Sequence, residues 1–179
     1  MPSFQLVGLP FEPFARYFSL SDSELGDLGM RRCVATEQPG YPCRVSLTDA
    51  AVGEELLLLP YAHQPATSPY RASGPIFVRR NAQQRVLEPG VIPDCVTLRL
   101  MSVRGYDSSH FMTGAEVCEG GEVARVLQEM FSRQDVAYVH LHNAKRGCFS
   151  CCATRVCWTR PSDGEYYREP VPCARSSAG

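Results

Sequence analysis

The sequence predicts an α+β fold built around a mainly antiparallel β-sheet. Three observations carry that expectation. Short apolar segments with strand character recur along most of the chain, only one stretch has a clear helical stripe, and the connections are short, polar and rich in glycine and proline.

SFQLVGL (3–9) opens the chain as a strand that Pro10 ends, and a short helix or turn follows through PFARYFSL. SDSE (21–24) is a capping box: Ser21 caps a short N-terminal helix and Glu24 reaches back to it, with Gly29 as the stop. RRCVATE (31–37) reads as a strand and PGYPC (39–43) as a turn. Cys43, Val45 and Leu47 alternate with Arg44, Ser46 and Thr48, the period of a half-buried strand. EELLLLPY (54–61) is apolar on both faces, which suits a central strand.

HQPATSPYRASGP (63–75) is expected as a loop that leads into the strand IFVRR (76–80). Further on, Val96, Leu98 and Leu100 share a face before Met101 and Val103 take the opposite parity, predicting a strand with a bulge near residue 100. HFMTGAEV (110–117) is expected to return antiparallel. Val123, Val126, Leu127, Met130 and Phe131 then form the i, i+3, i+4, i+7, i+8 stripe of one long amphipathic helix over about 121–133. AYVHLH (137–142) and CFSCCATRVCW (148–158) are two strands joined by the polar loop NAKRG, a hairpin signal. The division expected is a single globular domain over 1–159 and a weakly ordered C-terminal tail over 160–179.

Composition narrows the function classes. The chain has 179 residues, 44% apolar and 21% charged, with a formal net charge of −1, and is long enough to hide about two thirds of its unfolded surface in one domain. Its 18 basic and 19 acidic residues are interleaved, which argues against nucleic acid, whose binders cluster positive charge to neutralise phosphates. The N-terminus lacks a basic region and is broken by Pro10 and Pro13, unlike a secretory signal, and the apolar run 56–59 cannot span a bilayer. A cytoplasmic protein with reduced thiols and no membrane partner is expected. Its nine cysteines are odd in number and unevenly spaced, unlike a disulfide scaffold.

The densest chemistry is VHLHNAKRGCFSCC (139–152), which holds two of the four histidines and three of the cysteines. Strand parity sends Tyr138, His140 and His142 to one side of the hairpin. With a loop of residues 143–147, His142 faces Cys148 and His140 faces Ser150, at Cβ separations of about 5 Å. Three readings stand open. A catalytic pair would use Cys148 as nucleophile, His142 as base and Asn143 as orienting group, since a neighbouring imidazole favours the thiolate. A metal reading would use His140 and His142 with Cys148 or His63 as a third ligand; parity splits Cys148 and Cys151 between faces, and no metal or other cofactor is assigned. In the third reading the cysteines pack as small hydrophobes.

A second constellation comes from PGYPCR (39–44), PYRASGPIFVR (69–79) and SVRGYD (102–107). If they converge, Arg44, Tyr70, Arg71, Ser73, Gly74, Arg79, Arg104 and Tyr106 form a pocket for a small anion, because arginine's planar fork matches carboxylate and phosphate. The alternative is that each arginine pairs with a local acid such as Asp49 or Asp107.

In the runs PGYPCRVSLTDA, GEELLLLPY, PYRASGPIFVR, SVRGYD and HNAKRGCF, from about Phe4 to about Arg155, the chain resembles an uncharacterised bacterial family known only as a domain of unknown function, the 1203 family. The resemblance implies a single-domain soluble bacterial protein and no particular activity. It includes His142, Asn143, Gly147 and Cys148 but not Cys151, Cys152, Cys157 or Cys173, which speaks against a cysteine-rich zinc site. The leading expectation is a small-molecule enzyme or ligand-binding domain whose arginine and tyrosine segments hold an anionic small molecule near His142 and Cys148. A non-catalytic structural or assembly module and a His-x-His metal-binding protein are the alternatives.

Overall fold

The computed structural model describes residues 3–159 and 167–170. In chain order its strands are β1 (Ser3–Val7), β2 (Arg31–Val34), β3 (Glu55–Gln64), β4 (Ala72–Arg79), β5 (Leu100–Tyr106), β6 (Met112–Glu119), β7 (Tyr138–Asn143), β8 (Phe149–Thr159) and β9 (Tyr167–Pro170). Its helices are α1 (Glu12–Ala15), α2 (Asp22–Asp27), α3 (Asp94–Thr97) and α4 (Val123–Ser132). The strands form two antiparallel sheets. The larger has the order β1-β8-β7-β5-β6, with β9 pairing to β8, and the smaller has the order β2-β3-β4. The central place expected for 54–61 is that of β3.

The α+β class therefore holds, while the long helix is a composite. A 3₁₀ turn over Gly120–Glu122 runs into α4, and all five stripe residues from Val123 to Phe131 are buried. They pack on one face of the larger sheet against Phe4, Val103, Val139 and Leu141. Burying each such side chain contributes about 1.5–3 kcal/mol. The other face meets the smaller sheet, where Tyr106, Tyr138 and Phe149 pack with Leu57, Leu59 and Ile76 and with Phe14, Phe18 and Leu25 from the N-terminal helices. The capping box is formed as expected: Ser21 Oγ accepts from the Glu24 N–H, and the Glu24 carboxylate accepts from the Ser21 N–H. No helix among the described residues is long and apolar enough to cross a membrane.

Three expectations need correction. Cys43–Leu47 is not a regular strand despite its alternation. Its backbone closes local turns, with Leu47 N–H donating to Cys43 O and Cys43 N–H to Thr48 O, while Leu47 takes a left-handed φ of 51°. Residues 94–97 form the one-turn helix α3 after Pro93, so the parity change at residue 100 marks a helix-to-strand boundary rather than a bulge; β5 breaks register instead between Gly105 and Tyr106. The 63–75 loop is shorter than expected, because β3 runs on to Gln64 and β4 begins at Ala72. Of the expected tail, residues 167–170 form β9 on β8, and the remaining positions from 160 onward lie outside the described residues. Cys152 is disulfide-bonded, so the expected reduced state does not extend to it.

Candidate functional site

The period of two along β5 and β7 builds the site. Ser102, Arg104 and Tyr106 stand directly opposite His142, His140 and Tyr138, all on the face turned toward the smaller sheet. From that sheet β3 contributes His63, whose ring centroid lies 4.9 Å from that of His142 and 6.2 Å from that of His140. Phe149 of β8 stacks on His63 at 5.5 Å and meets His140 edge-on at 5.2 Å. Tyr106 stacks on Tyr138 at 5.3 Å, and Tyr70 leans on Tyr106 and Phe111 from the β3–β4 connection.

The fourth histidine joins from the β5–β6 turn. Asp107 organises that turn by accepting from the N–H groups of Ser109 and Phe111 through its carboxylate, and His110 is held at a left-handed φ of 65°. A non-glycine residue held there is strained, a condition that collects at functional sites. His110 Nδ1 meets the Tyr138 hydroxyl at 2.8 Å, and the Gln64 amide donates to the same hydroxyl at 2.7 Å. All four histidines of the sequence thus lie in one aromatic cluster.

Burial disfavours the charged form of three of these imidazoles, those of His63, His140 and His142. His140 is pushed down to about 3, by burial first and then by His142, His63 and Arg104. His142 is pushed down to about 4, again by burial first, with the Gly147 carbonyl opposing the shift. Burial and Arg104 also lower His63. Because the Gly147 carbonyl, 3.0 Å from His142 Nδ1, can only accept, the proton of neutral His142 sits on Nδ1 and its Nε2 carries a lone pair. That Nε2 is buried without a partner, as are His63 Nδ1, His140 Nδ1 and Gln64 Oε1. These are four of the seven such side-chain atoms among the described residues, so the polar demand of the interior is concentrated here. Arg104 donates to Ser102 Oγ at 3.1 Å, and no carboxylate forms an ion pair with it among the described residues. The cluster meets solvent through the half-buried His63, Arg104 and His110 and through Tyr70, 37% exposed.

The expected His142–Cys148 pair does not form across the hairpin. The turn closes one position later, with Asn143 N–H donating to Cys148 O at 3.0 Å and Gly147 N–H to Asn143 O at 2.7 Å, Gly147 taking a left-handed φ of 73°. A bulge then sets His142 opposite Phe149 and His140 opposite Cys152 rather than Ser150. Cys148 is left beside Asn143, whose amide donates to Sγ at 3.4 Å, and beside Arg44, whose Nη2 donates to Sγ at 3.3 Å. Arg44 is 2% exposed and donates also to the Phe149 and Pro42 carbonyls.

The other anticipated ligand residues divide. Tyr70, Arg104 and Tyr106 join the histidines, and Gly74 lies over His63, where an added Cβ would stand 3.9 Å from Cε1. Arg71 and Ser73 are exposed nearby on the β3–β4 connection and the start of β4. Arg79 belongs elsewhere, donating to Thr48 Oγ1 and pairing with Glu54 at 3.5 Å. Asp49, weighed as a local partner for these arginines, instead holds Arg99 at 2.6 Å. Among the described residues no group of three His, Cys, Asp or Glu side chains is arranged to hold a metal ion; the ring of Phe149 packs against the imidazoles of His63, His140 and His142.

A cavity of about 270 Å³ lies apart from the histidines, lined by residues that include Gln38, Leu47, Asp49 and Leu98. It is the weaker site on chemical grounds: of its two carboxylates Asp49 is already paired and Asp94 is exposed, and no unpartnered buried polar atom lines it. Sequence reasoning weighed His63 only as a metal ligand and missed His110 and Gln64. The available signal was that all four histidines fall next to segments rich in tyrosine or phenylalanine, at positions 61–70, 106–111 and 138–149.

The sequence pattern of the family described as Protein of unknown function (DUF1203) matches residues 40–155. No curated protein and no solved structure matches the chain.

Proposed function

Since the chain belongs to the DUF1203 family, and membership brings no activity with it, we propose from the site alone that the domain binds a small anionic molecule that also carries an O–H or N–H donor. The observation that supports this most is the pairing of unlike needs at one place. Arg104 is a cation with no carboxylate partner among the described residues, and His142 beside it offers an unpartnered acceptor at Nε2. An anion at Arg104 answers the first, and a hydroxyl or amino donor on the same ligand answers the second.

Tyr70, Tyr106 and Tyr138 supply apolar walls with polar ends, as small-molecule sites commonly do. If the domain is an enzyme, His142 is the proton acceptor. Its imidazole is neutral at physiological pH, held so mainly by burial, and an anion held by Arg104 would offset the smaller part of that shift that comes from the Arg104 charge.

Thermal-shift and calorimetric titrations with short hydroxy acids, their deoxy counterparts, neutral amides and inorganic phosphate test the reading. Hydroxy acids are expected to bind more tightly than the deoxy acids and amides, and Arg104→Met is expected to abolish the difference between acid and amide. No response to any of the panel, or an undiminished response in Arg104→Met, would leave the cluster as core packing.

A further inference from the structure

On the opposite side of the hairpin from the imidazoles, Arg44 presents a charge that no carboxylate pairs with among the described residues. Its guanidinium is almost wholly buried, and the acidic groups that act on it most are the thiols of Cys148, Cys95, Cys151 and Cys43, Cys148 foremost. Arginine does not give up its proton in proteins, so such a cation calls for a partner that can become negative. Cys43, Cys95 and Cys151 are themselves buried, and burial pushes Cys95 up to about 11 and Cys151 higher still. Cys148 differs in being half-buried and in having its sulfur within reach of two donors, Arg44 Nη2 at 3.3 Å and Asn143 Nδ2 at 3.4 Å. Asn143 is 9% exposed, its amide N–H is directed at Cys148, and its Oδ1 is a buried acceptor without a partner among the described residues.

We propose that Cys148 is a reactive nucleophile set beside Arg44, forming a second site that reacts with small anionic electrophiles. Arg44 supplies the positive field, Asn143 an additional donor, and the exposed loop residues Lys145 and Arg146 a basic approach. With iodoacetate as probe the step is a displacement. The sulfur lone pair forms an S–C bond as the C–I bond breaks, iodide leaves with the bonding pair, and the thiol proton has passed to solvent beforehand.

The protein carries its own reference thiols. Cys118 is half-buried among Glu116, Glu119 and Glu122, and half-buried Cys33 only donates to the Arg31 carbonyl. The experiment is parallel labelling of the native chain with iodoacetate and iodoacetamide, read by peptide mass mapping. Cys148 is expected to label first with both reagents. Its iodoacetate-to-iodoacetamide rate ratio is expected to exceed that of Cys118 by at least about tenfold, the low end of what a site lined by one sign of charge achieves. Labelling no faster than Cys33 and Cys118, or a ratio equal to that of Cys118, would overturn the proposal.

Two variants assign the charge. Lys145→Ser/Arg146→Ser is expected to keep most of the preference for iodoacetate, and Arg44→Met to lose it; the reverse pattern would overturn the role of Arg44. Should Arg44→Met fail to fold, the native ratio and the loop variant still decide. Arg104→Met leaves this chemistry untouched, so failure here is distinct from failure of the anion site.

Discussion

Acidification should destabilise this fold through its buried imidazoles. An unfolded histidine takes up its proton near 6.5, whereas His140 and His142 do so only near 3 and near 4, chiefly because burial disfavours the charged ring. Between those values the unfolded chain binds more protons than the folded one, so stability is complete above about pH 6.5 and declines as the pH falls below it. Going from about pH 7.5 to about pH 5 crosses roughly one and a half units of that interval for each ring, or about 2 kcal/mol apiece at 1.36 kcal/mol per unit. The pair together gives a loss of about 4 kcal/mol, a large fraction of the stability of an ordinary domain. Urea unfolding at a series of pH values measures it, with His140→Phe as the reference. Phenylalanine suits the aromatic surroundings and removes the unpartnered Nδ1 along with the titration. The variant should lose about 2 kcal/mol less than the native chain over the same interval. Equal losses in the two proteins, or a native stability that does not fall on acidification, would refute the argument that a neutral, buried His140 sets the acid limit.

Removing the Tyr138 hydroxyl in Tyr138→Phe strands the Gln64 amide and His110 Nδ1 and should cost about 1–3 kcal/mol in urea unfolding; a cost near zero would mean that water replaces the hydroxyl. Asp49 holds Arg99 through both carboxylate oxygens, at 2.6 and 2.9 Å, and also accepts from the Gly40 N–H. Asp49→Asn should therefore cost about 3 kcal/mol, the low end for a broken buried pair, and the loss should persist in high salt. Gly8 lies so close to the 43–47 turns that an added Cβ would stand 1.9 Å from the Val45 carbonyl oxygen. Gly8→Ala should lower the unfolding midpoint by the equivalent of about 1–3 kcal/mol or more, as overpacking does.

Elements whose stabilising contacts are local were legible in the sequence. The α4 stripe, the Ser21–Glu24 capping box and the two arms of the hairpin follow from spacing alone, because the periodicity that defines them is set within a few residues. The alternation at Cys43–Leu47 misled because those side chains are buried, as in a strand, while their backbone partners are local turns and separate elements such as Phe77 and Leu9. Parity correctly put Tyr138, His140 and His142 on one face, but the register depended on the left-handed Gly147 and a bulge that no apolar pattern encodes. His63, Gln64 and His110 converge with them through the packing of two sheets and a turn. The only local trace of that long-range arrangement is the tyrosine and phenylalanine near each histidine.

The bulge opposite His142 has a consequence for how the chain tolerates change. It gives β8 one unmatched residue between Cys148 and Cys151, so the side chains before and after it are aimed independently. Residues 144–146 can vary in identity while Gly147 holds the left-handed turn, but a single insertion or deletion at the bulge would rotate part of β8 by one face. Phe149 would leave the imidazoles and Cys148 would leave Arg44 in the same event, joining the two chemistries in one length constraint.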